Sequence, residues 1–285
     1  MTGRLVVGCS GWSYDDWTGP FYPADLPARR RLEHYASQFG SVEVNSTHYG
    51  TPSAATVEGW RAAAPDDFVF CVKLHRFGTH RKKLLDPESW APRSLEPVRG
   101  LGSRAGPVLL QLPPRWKPRL DRLDAALSTL RGLGSRPVAV EVRDERWLGA
   151  ELDEVLDRHR AVLCHHDLVR GLMTTAALRT PAAGFVYLRF HGPDPDHPYH
   201  GSYPAATLGR VARRCAELQR DEVDVFAFFN NDVGAAAPVD AKRFAAAARS
   251  AAVVSGPDGP TDPRPARSPS TGCAPPAAPI GSRGA

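Results

Sequence analysis

The chain has 285 residues, 42% of them hydrophobic, and a formal net charge of +5, which suits one large domain because single barrels commonly reach this length. No apolar run approaches the length of a membrane span, and five cysteines without a CxxC pair argue against a disulfide framework. We therefore expect a cytoplasmic protein, whose mild positive charge favours anionic partners such as phosphates or nucleic acid.

Eight short apolar segments recur along the chain, and each ends in polar residues. They predict strands at residues 5–9, 41–45, 68–74, 107–112, 138–142, 161–164, 185–190 and 225–229. Helices are predicted between them, including residues 28–39, 149–159 and 239–254, but no convincing helix follows the sixth strand. Ser53 is expected to cap one helix and Pro204 to open another. Strands that alternate with helices form parallel sheets, so eight such units predict a single (β/α)8 barrel of the TIM type.

The composition of the chain changes after residue 254. Residues 255–285 are rich in proline, glycine, serine and alanine and contain almost no large apolar side chain. Such a segment cannot bury enough surface to offset the entropy of ordering. We predict a barrel domain at residues 1–254 and a disordered tail at residues 255–285.

Polar residues occur in pairs at the ends of four predicted strands, with one apolar residue between the members of each pair. Side chains alternate along a strand, so both members of a pair share one face. The pairs are Glu43 with Asn45, Lys73 with His75, Glu141 with Arg143, and Arg189 with His191. Their apolar neighbours suit the outer face, which packs against helices, so the pairs are predicted to point into the barrel. The opposite charges could serve only as an ion-pair layer that fills the barrel, but active sites of TIM barrels lie at these strand ends.

Several motifs in this chain, in this order, resemble those of the YecE-like family, also called domain of unknown function 72. They are GCSGWSYDDWTGPFYP, VEVNSTHY, FVFCVKLHRFGTH, LLQLPP, VEVRDERW, YLRFHG, YHGSY and FNND. The resemblance extends from about residue 6 to residue 244 and implies a TIM-type barrel. It implies no reaction, because the activity of the family is not established; the barrel is loosely similar to the endonuclease-IV and xylose-isomerase type.

Some residues of this chain match the family pattern, and others depart from it. The positions that match the family pattern are Gly11, Trp12, Tyr14, Trp17, Glu43, Asn45, Tyr49, Lys73, His80, Gln111, Glu141, Arg143, Trp147, Asp167, Arg189, His191, Gly192, Tyr203, Asn230 and Asn231. The departures are His48, His75, His165 and His166, together with DERW in place of the more usual HPSW.

Three chemistries would use the acidic and basic residues directly. Glu43, Glu141, Asp167 and the histidines are metal-ligand types, but no HxH or HExxH spacing is present. Glu43 and Glu141 could form an acid/base pair, with one carboxylate held ionised by a cation and the pKa of the other raised by burial. Lys73 could act as a Schiff-base nucleophile if burial or neighbouring cations lower its pKa.

A fourth chemistry, anion binding, uses most of the candidate residues. The donors that could hold a phosphate or carboxylate are Lys73, Arg143, Arg189, His191, Asn230 and Asn231. The aromatic rings that could contact a sugar or base are Trp12, Tyr14, Trp17, Tyr49, Trp147, Tyr199 and Tyr203, about half of which we expect to pack between loops. The loop RFGTHRKK could add contacts through its cations.

We therefore predict an enzyme, a hydrolase or lyase, that acts on a small anionic sugar- or nucleotide-like substrate at the carboxyl end of the strands. The catalytic candidates are Glu141, Glu43, Lys73 and Asp167. The substrate-binding candidates are Trp12, Tyr14, Asn45, Tyr49, Gln111, Arg143, Trp147, Arg189, His191, Tyr203, Asn230 and Asn231. No cofactor, resident metal ion or membrane is expected. The alternatives are a non-catalytic barrel that binds nucleic acid or another ligand, and a metal-dependent phosphodiester hydrolase of the endonuclease-IV type.

Overall fold

A computed structural model describes residues 1–254 of the chain, and the predicted tail lies outside the described residues. Eight parallel strands form one sheet in the order β3-β2-β1-β8-β7-β6-β5-β4. Bridges at Phe70–Ala105 and Lys73–Leu109 connect the two outer strands of that order, β3 and β4. The strands are β1 Leu5–Cys9, β2 Ser41–Val44, β3 Val69–Val72, β4 Val108–Gln111, β5 Val138–Glu141, β6 Val162–His166, β7 Phe185–Phe190 and β8 Asp224–Phe229. The predicted TIM-type barrel is confirmed.

Helices follow most of the strands and cover the outside of the barrel. They are α1 Arg31–Ala36, α2 Ala54–Ala63, α3 Pro87–Ser94, α4 Glu96–Leu101, α5 Leu120–Gly132, α6 Ala150–His159, α7 Ala205–Arg220 and α8 Ala236–Val254. Between β6 and β7 the described chain forms turns without a helix, as the sequence predicts. No helix within residues 1–254 is long and apolar enough to cross a membrane.

Two helix boundaries differ from the prediction for local reasons. The helix predicted at residues 28–39 begins with a 3-10 turn and α1 ends at Ala36, where the Ser37 hydroxyl donates to the carbonyl of His34. The last helix starts three residues before the predicted position because Pro238 lies in its first turn, where no proline N–H is needed. The predicted Ser53 cap is confirmed, since its hydroxyl accepts from the Thr56 amide at 3.1 Å.

The barrel has a large outer core and a smaller inner one. Eight apolar residues predicted for the outer face all lie in the core between sheet and helices: Val42, Val44, Val72, Leu74, Val140, Val142, Leu188 and Phe190. The inside of the barrel is filled by Cys71, Leu109, Ala139, Cys164, Tyr187, Phe226 and Phe228. Charged side chains lie beyond this inner core, at the carboxyl ends of the strands, which we call the mouth.

Candidate active site at the mouth of the barrel

A buried ion-pair layer joins three strands below the mouth. Arg189 of β7 donates through Nη2 to Glu43 of β2 at 2.7 Å and through Nη1 to Glu141 of β5 at 2.7 Å. Glu43 also accepts hydrogen bonds from the Ser10 hydroxyl at 2.6 Å and the Tyr187 hydroxyl at 2.8 Å. All five residues are fully buried. Both carboxylates therefore serve as counter-ions of Arg189, a role that the sequence analysis considered as the structural alternative.

Glu141 is held ionised by two arginines. Burial alone would raise the pKa of Glu141, but the charges of Arg143 and Arg189 outweigh it and hold the pKa well below its usual range. Arg143 donates through Nε to Glu141, two residues earlier on the same strand. A carboxylate in this state accepts hydrogen bonds and does not supply a proton near neutral pH. The arrangement does not give Glu141 the raised pKa that an acid catalyst needs.

His191, Asp167 and Tyr203 form a second hydrogen-bonded group beside the ion-pair layer. Nε2 of His191 lies 3.0 Å from Nη1 of Arg189 and 3.3 Å from Nη2 of Arg143, and Nδ1 lies 3.1 Å from Asp167. Because arginine only donates, Nε2 accepts and the proton lies on Nδ1, which donates to the carboxylate. Burial and the charges of both arginines hold the pKa of His191 well below its usual value, so the ring is neutral.

Asp167 is a carboxylate of the mouth whose pKa is raised towards neutral pH. Burial raises its pKa to about 6, against the hydrogen bonds donated by the Tyr203 hydroxyl and the His191 amide. Its side chain keeps some contact with solvent. The Tyr203 hydroxyl also accepts from the Gly192 amide at 2.6 Å, so its position is set by the chain that follows β7.

Lys73 follows β3 and has no direct partner for its charge. The residue is 8% exposed, and within residues 1–254 its ammonium makes no ion pair or side-chain hydrogen bond. Burial, and then the charge of Arg189, lowers the pKa of Lys73 to about 8. Two neighbouring imidazoles, those of His48 and His80, are neutral. Burial and the charge of Lys73 lower their pKa values to about 3 and about 4. Lys73 is therefore a buried cation without a counter-ion in direct contact.

The remaining predicted residues have diverse environments. Asn45 donates to the Ser10 carbonyl at 3.1 Å, Trp12 packs edge-on against Trp60, and Gln111 and Asn230 are almost fully buried near the strand ends. Trp147 is only 3% exposed and donates to the Trp116 carbonyl, which leaves little of its ring for a ligand.

Three other predicted positions point elsewhere. Asn231 donates to Asp240 of α8 at 2.9 Å, away from the inner face. Tyr49 lies on the rim and is 66% exposed. His75, the partner of Lys73 in the predicted inward pair, lines a separate cavity at the rim.

Asp232 is a further carboxylate of the mouth, absent from the candidates predicted from the sequence but consistent with strand alternation. Phe228 lies inside the barrel, so Asn230 and Asp232 continue the same face whereas Asn231 faces outward. Burial raises the pKa of Asp232 to about 8, and the neighbouring Tyr14 hydroxyl donates to the Ser10 carbonyl. One of its carboxyl oxygens is buried without a hydrogen-bond partner in the described residues. This environment favours a protonated carboxyl near neutral pH.

The histidines of the mouth are held individually. His166 lies 2.7 Å from the Val142 carbonyl through Nε2 and accepts from the Leu168 amide through Nδ1, and His165 contacts the Leu172 carbonyl at 3.0 Å. Within residues 1–254, no three histidine, cysteine, aspartate or glutamate side chains converge in the geometry of a metal-ligand cluster.

These features define the class of the protein: a TIM-type barrel with a buried carboxylate–arginine layer and titratable groups at its mouth. The chain belongs to the family described as "Protein of unknown function DUF72", whose model matches residues 6–266. The resemblance noted from the sequence motifs is thereby confirmed.

Relatives of this chain share the fold and part of the sequence. A DUF72 family protein of Thermotoga maritima has a solved structure that is 28% identical, with a TM-score of 0.72 over 85% of this chain and 98% of the other. The UPF0759 protein YunF of Bacillus subtilis is 24% identical over 84% of this chain and 93% of its own length. The UPF0759 protein YecE of Escherichia coli is 31% identical over 54% of each chain.

Proposed function

We propose that this protein is an enzyme that acts on a small anionic, sugar- or nucleotide-like substrate at the mouth of the barrel. The observation that carries the proposal is Lys73, a largely buried lysine whose ammonium group has no anion in direct contact. Burying an unpaired charge is costly, and an incoming phosphate or carboxylate would remove that cost. A side chain that serves only the fold would be expected to have its partner built in, as Arg189 has.

The proposed proton transfers use Asp167 and Lys73 in place of Glu43 and Glu141. With pKa values of about 6 and about 8, Asp167 is mostly ionised and Lys73 mostly protonated at pH 7. Groups in these states can act as general base and general acid at neutral pH. They follow β6 and β3, which lie in different halves of the barrel, so a substrate between them would contact both. Arg143 would stabilise negative charge that develops on the substrate.

The lowered pKa of Lys73 also favours a second reaction, in which its neutral amine attacks a substrate carbonyl. The amine nitrogen would form a bond to the carbonyl carbon, and loss of water would give an imine. Borohydride reduction would trap such an imine as a stable secondary amine on Lys73. Mass spectrometry that finds no added mass on Lys73 with any substrate that turns over would leave acid/base chemistry as the mechanism.

The first experiment is a thermal-shift screen of sugar phosphates, nucleotides and carboxylic acids against the full chain. We expect at least one anionic compound to raise the melting temperature of the wild type and not that of Lys73→Met. Arg29→Gln, which removes an exposed cation outside the candidate residues, is the matched control and should retain the shift. If no compound discriminates Lys73→Met from the control, the proposal is wrong. Stoichiometric zinc, manganese or iron by elemental mass spectrometry would instead support metal-dependent hydrolysis.

A further inference from the structure

A cavity of about 390 Å³ adjoins the mouth between helix α3 and the segments that follow β2 and β3. We call it the arginine pocket, because Arg76, Arg81 and Arg93 line it together with His75, Tyr49 and Trp90. None of its lining residues is acidic. Its volume falls within the range of small-molecule sites, which is about 300–1,000 Å³.

The three arginines of this pocket have no carboxylate partner within the described residues. Among the acidic residues nearest in sequence, Asp86 pairs with Lys82 at 3.2 Å and Glu88 accepts from Thr129. Glu96, three residues after Arg93, is exposed and forms no ion pair within residues 1–254. Arg76 lies over the ring of Tyr49, with its guanidinium carbon 5.4 Å from the ring centre. Burial lowers the pKa of His75, and the charges of Arg93, Arg76 and Arg81 lower it further. The positive charges of all three arginines are therefore directed at the same cavity.

The pocket is built on a fixed support. Trp90 is almost fully buried and donates through its indole to the Leu85 carbonyl at 3.1 Å. Residues Phe77–Arg81 form a π-helical turn that packs directly on this indole. A Cβ at Gly78 would lie 2.3 Å from the Trp90 ring, so only glycine allows this contact. The contact sets the position of the turn that carries Arg81 and follows Arg76, and π-helical turns are frequent at functional sites.

The arginine pocket and the mouth are neighbours in the structure. His75 lies two residues beyond Lys73 on the same segment. The rings of His48 and His80 are 4.9 Å apart, and His48 also packs against Tyr49, with ring centres 5.2 Å apart. Burial first, and then the charges of Lys73, Arg143 and Arg76, lowers the pKa of His80. His80 is therefore close to Lys73 and Arg143 of the mouth and to Arg76 of the arginine pocket.

We propose that the arginine pocket binds the phosphate group of a phosphomonoester, and that this group belongs to the substrate whose reacting end reaches Lys73. The second half of this inference rests on the proposed function. A phosphomonoester carries close to two negative charges at neutral pH, and guanidinium groups bind its oxygens in bidentate fashion. Three exposed arginines that line one small concavity favour a small molecule over a polynucleotide, whose phosphates would need cations spaced along a groove.

Calorimetric titration of the full chain at low salt tests the pocket directly. The probes are inorganic phosphate and ribose 5-phosphate, and the variants are Arg81→Gln, Arg93→Gln and the exposed control Arg29→Gln. We expect each pocket variant to weaken binding of both probes by about tenfold, because a charge-assisted hydrogen bond is lost. Arg29→Gln should bind like the wild type.

Lys73→Met separates the pocket from the mouth in the same titration. We expect this substitution to weaken the binding of ribose 5-phosphate and to leave the binding of inorganic phosphate unchanged. If phosphate binding is lost in Lys73→Met and retained in both pocket variants, the arginine pocket is not the phosphate site, although the proposed function survives. If only the pocket variants weaken the binding of both probes, the arginine pocket is the phosphate site, but Lys73 does not contact the rest of the substrate. Absence of phosphate binding in the wild type would overturn the inference. If single-stranded DNA binds more tightly than ribose 5-phosphate, and its affinity increases with its length, the ligand is a polynucleotide and not a small phosphomonoester.

Discussion

The two sides of the mouth differ in how their charges are balanced. On the side of β5 to β7, Glu141, Arg143, Asp167 and His191 bond to one another and to Arg189. On the side of β3, Lys73 and the three cations of the arginine pocket have no carboxylate partner in the described residues. Paired charges hold strands in register, whereas an unpaired cation remains available to an incoming anion. We call the first the supporting side, which also carries Asp167 and Arg143 of the proposed reaction, and the second the receiving side.

The largest expected effect is on the supporting side. Glu43→Gln should destabilise the protein by about 3 kcal/mol, because removing one member of a buried ion pair leaves Arg189 with an uncompensated charge. Urea unfolding of the full chain measures the change. Glu33→Gln, which breaks only the exposed pair with Arg30, is the matched control and should leave the urea midpoint close to that of the wild type. Equal effects of the two substitutions would mean that the buried layer does not support the fold.

Replacement of Lys73 should change the stability of the protein in the opposite direction. Lys73→Met removes a buried charge without a direct partner, so the variant should be more stable than the wild type at pH 7, by roughly 2 kcal/mol. The folded pKa of Lys73, about 8, lies below its unfolded value, so the wild type gains stability as the pH rises from about 8 towards 10.5. The advantage of the variant should therefore shrink over that interval.

Urea unfolding of both proteins at pH 7, 8 and 9.5 follows this difference. A less stable Lys73→Met variant at pH 7 would mean that Lys73 has a favourable partner in the folded protein, and the distinction between the two sides would disappear.

A smaller effect concerns the proton affinity of Asp167. Tyr203→Phe removes a hydrogen bond to this carboxylate, so the pKa of Asp167 should rise above about 6, with a stability loss of about 1 kcal/mol. Carbon-13 NMR titration of aspartate-labelled protein measures the pKa, and Asp167→Asn assigns the signal. Tyr199→Phe, on the exposed rim, should leave the titration unchanged. An unshifted signal in Tyr203→Phe would exclude a role of Tyr203 in tuning Asp167.

Asp167 also has a defined effect on acid stability. Its folded pKa of about 6 lies above the ordinary aspartate value of 3.8, so its contribution to stability is present at low pH and is lost as the pH rises between these values. Relative to Asp167→Asn, the wild type should therefore lose stability from about pH 4 to pH 6. Urea unfolding across that interval checks the sign, and a gain of stability would contradict the raised pKa.

The fold and most positions of the inner face could be predicted because both depend on local pattern, whereas His75 and Asn231, which lie beyond the strand ends, were placed wrongly. Alternation along a strand distinguishes Glu43 from Val42 without knowledge of the partner strands. The roles of the charged residues depend on distance instead. Glu43 and Arg189 are 146 residues apart in sequence, so their pairing, and its consequence for catalysis, is not visible in either segment. The same applies to Asp167, whose raised pKa results from burial by residues of other segments.

The ion-pair layer has a consequence for how the barrel assembles. Arg189 connects β7 with both β2 and β5, so the layer is complete only when segments about 50 and about 150 residues apart in sequence have met. A fragment that ends before β7 would leave Glu43 and Glu141 facing each other without the guanidinium between them. We therefore expect the barrel to form in one cooperative transition and not as two halves that are stable alone, since contacts this distant along the chain form late in folding.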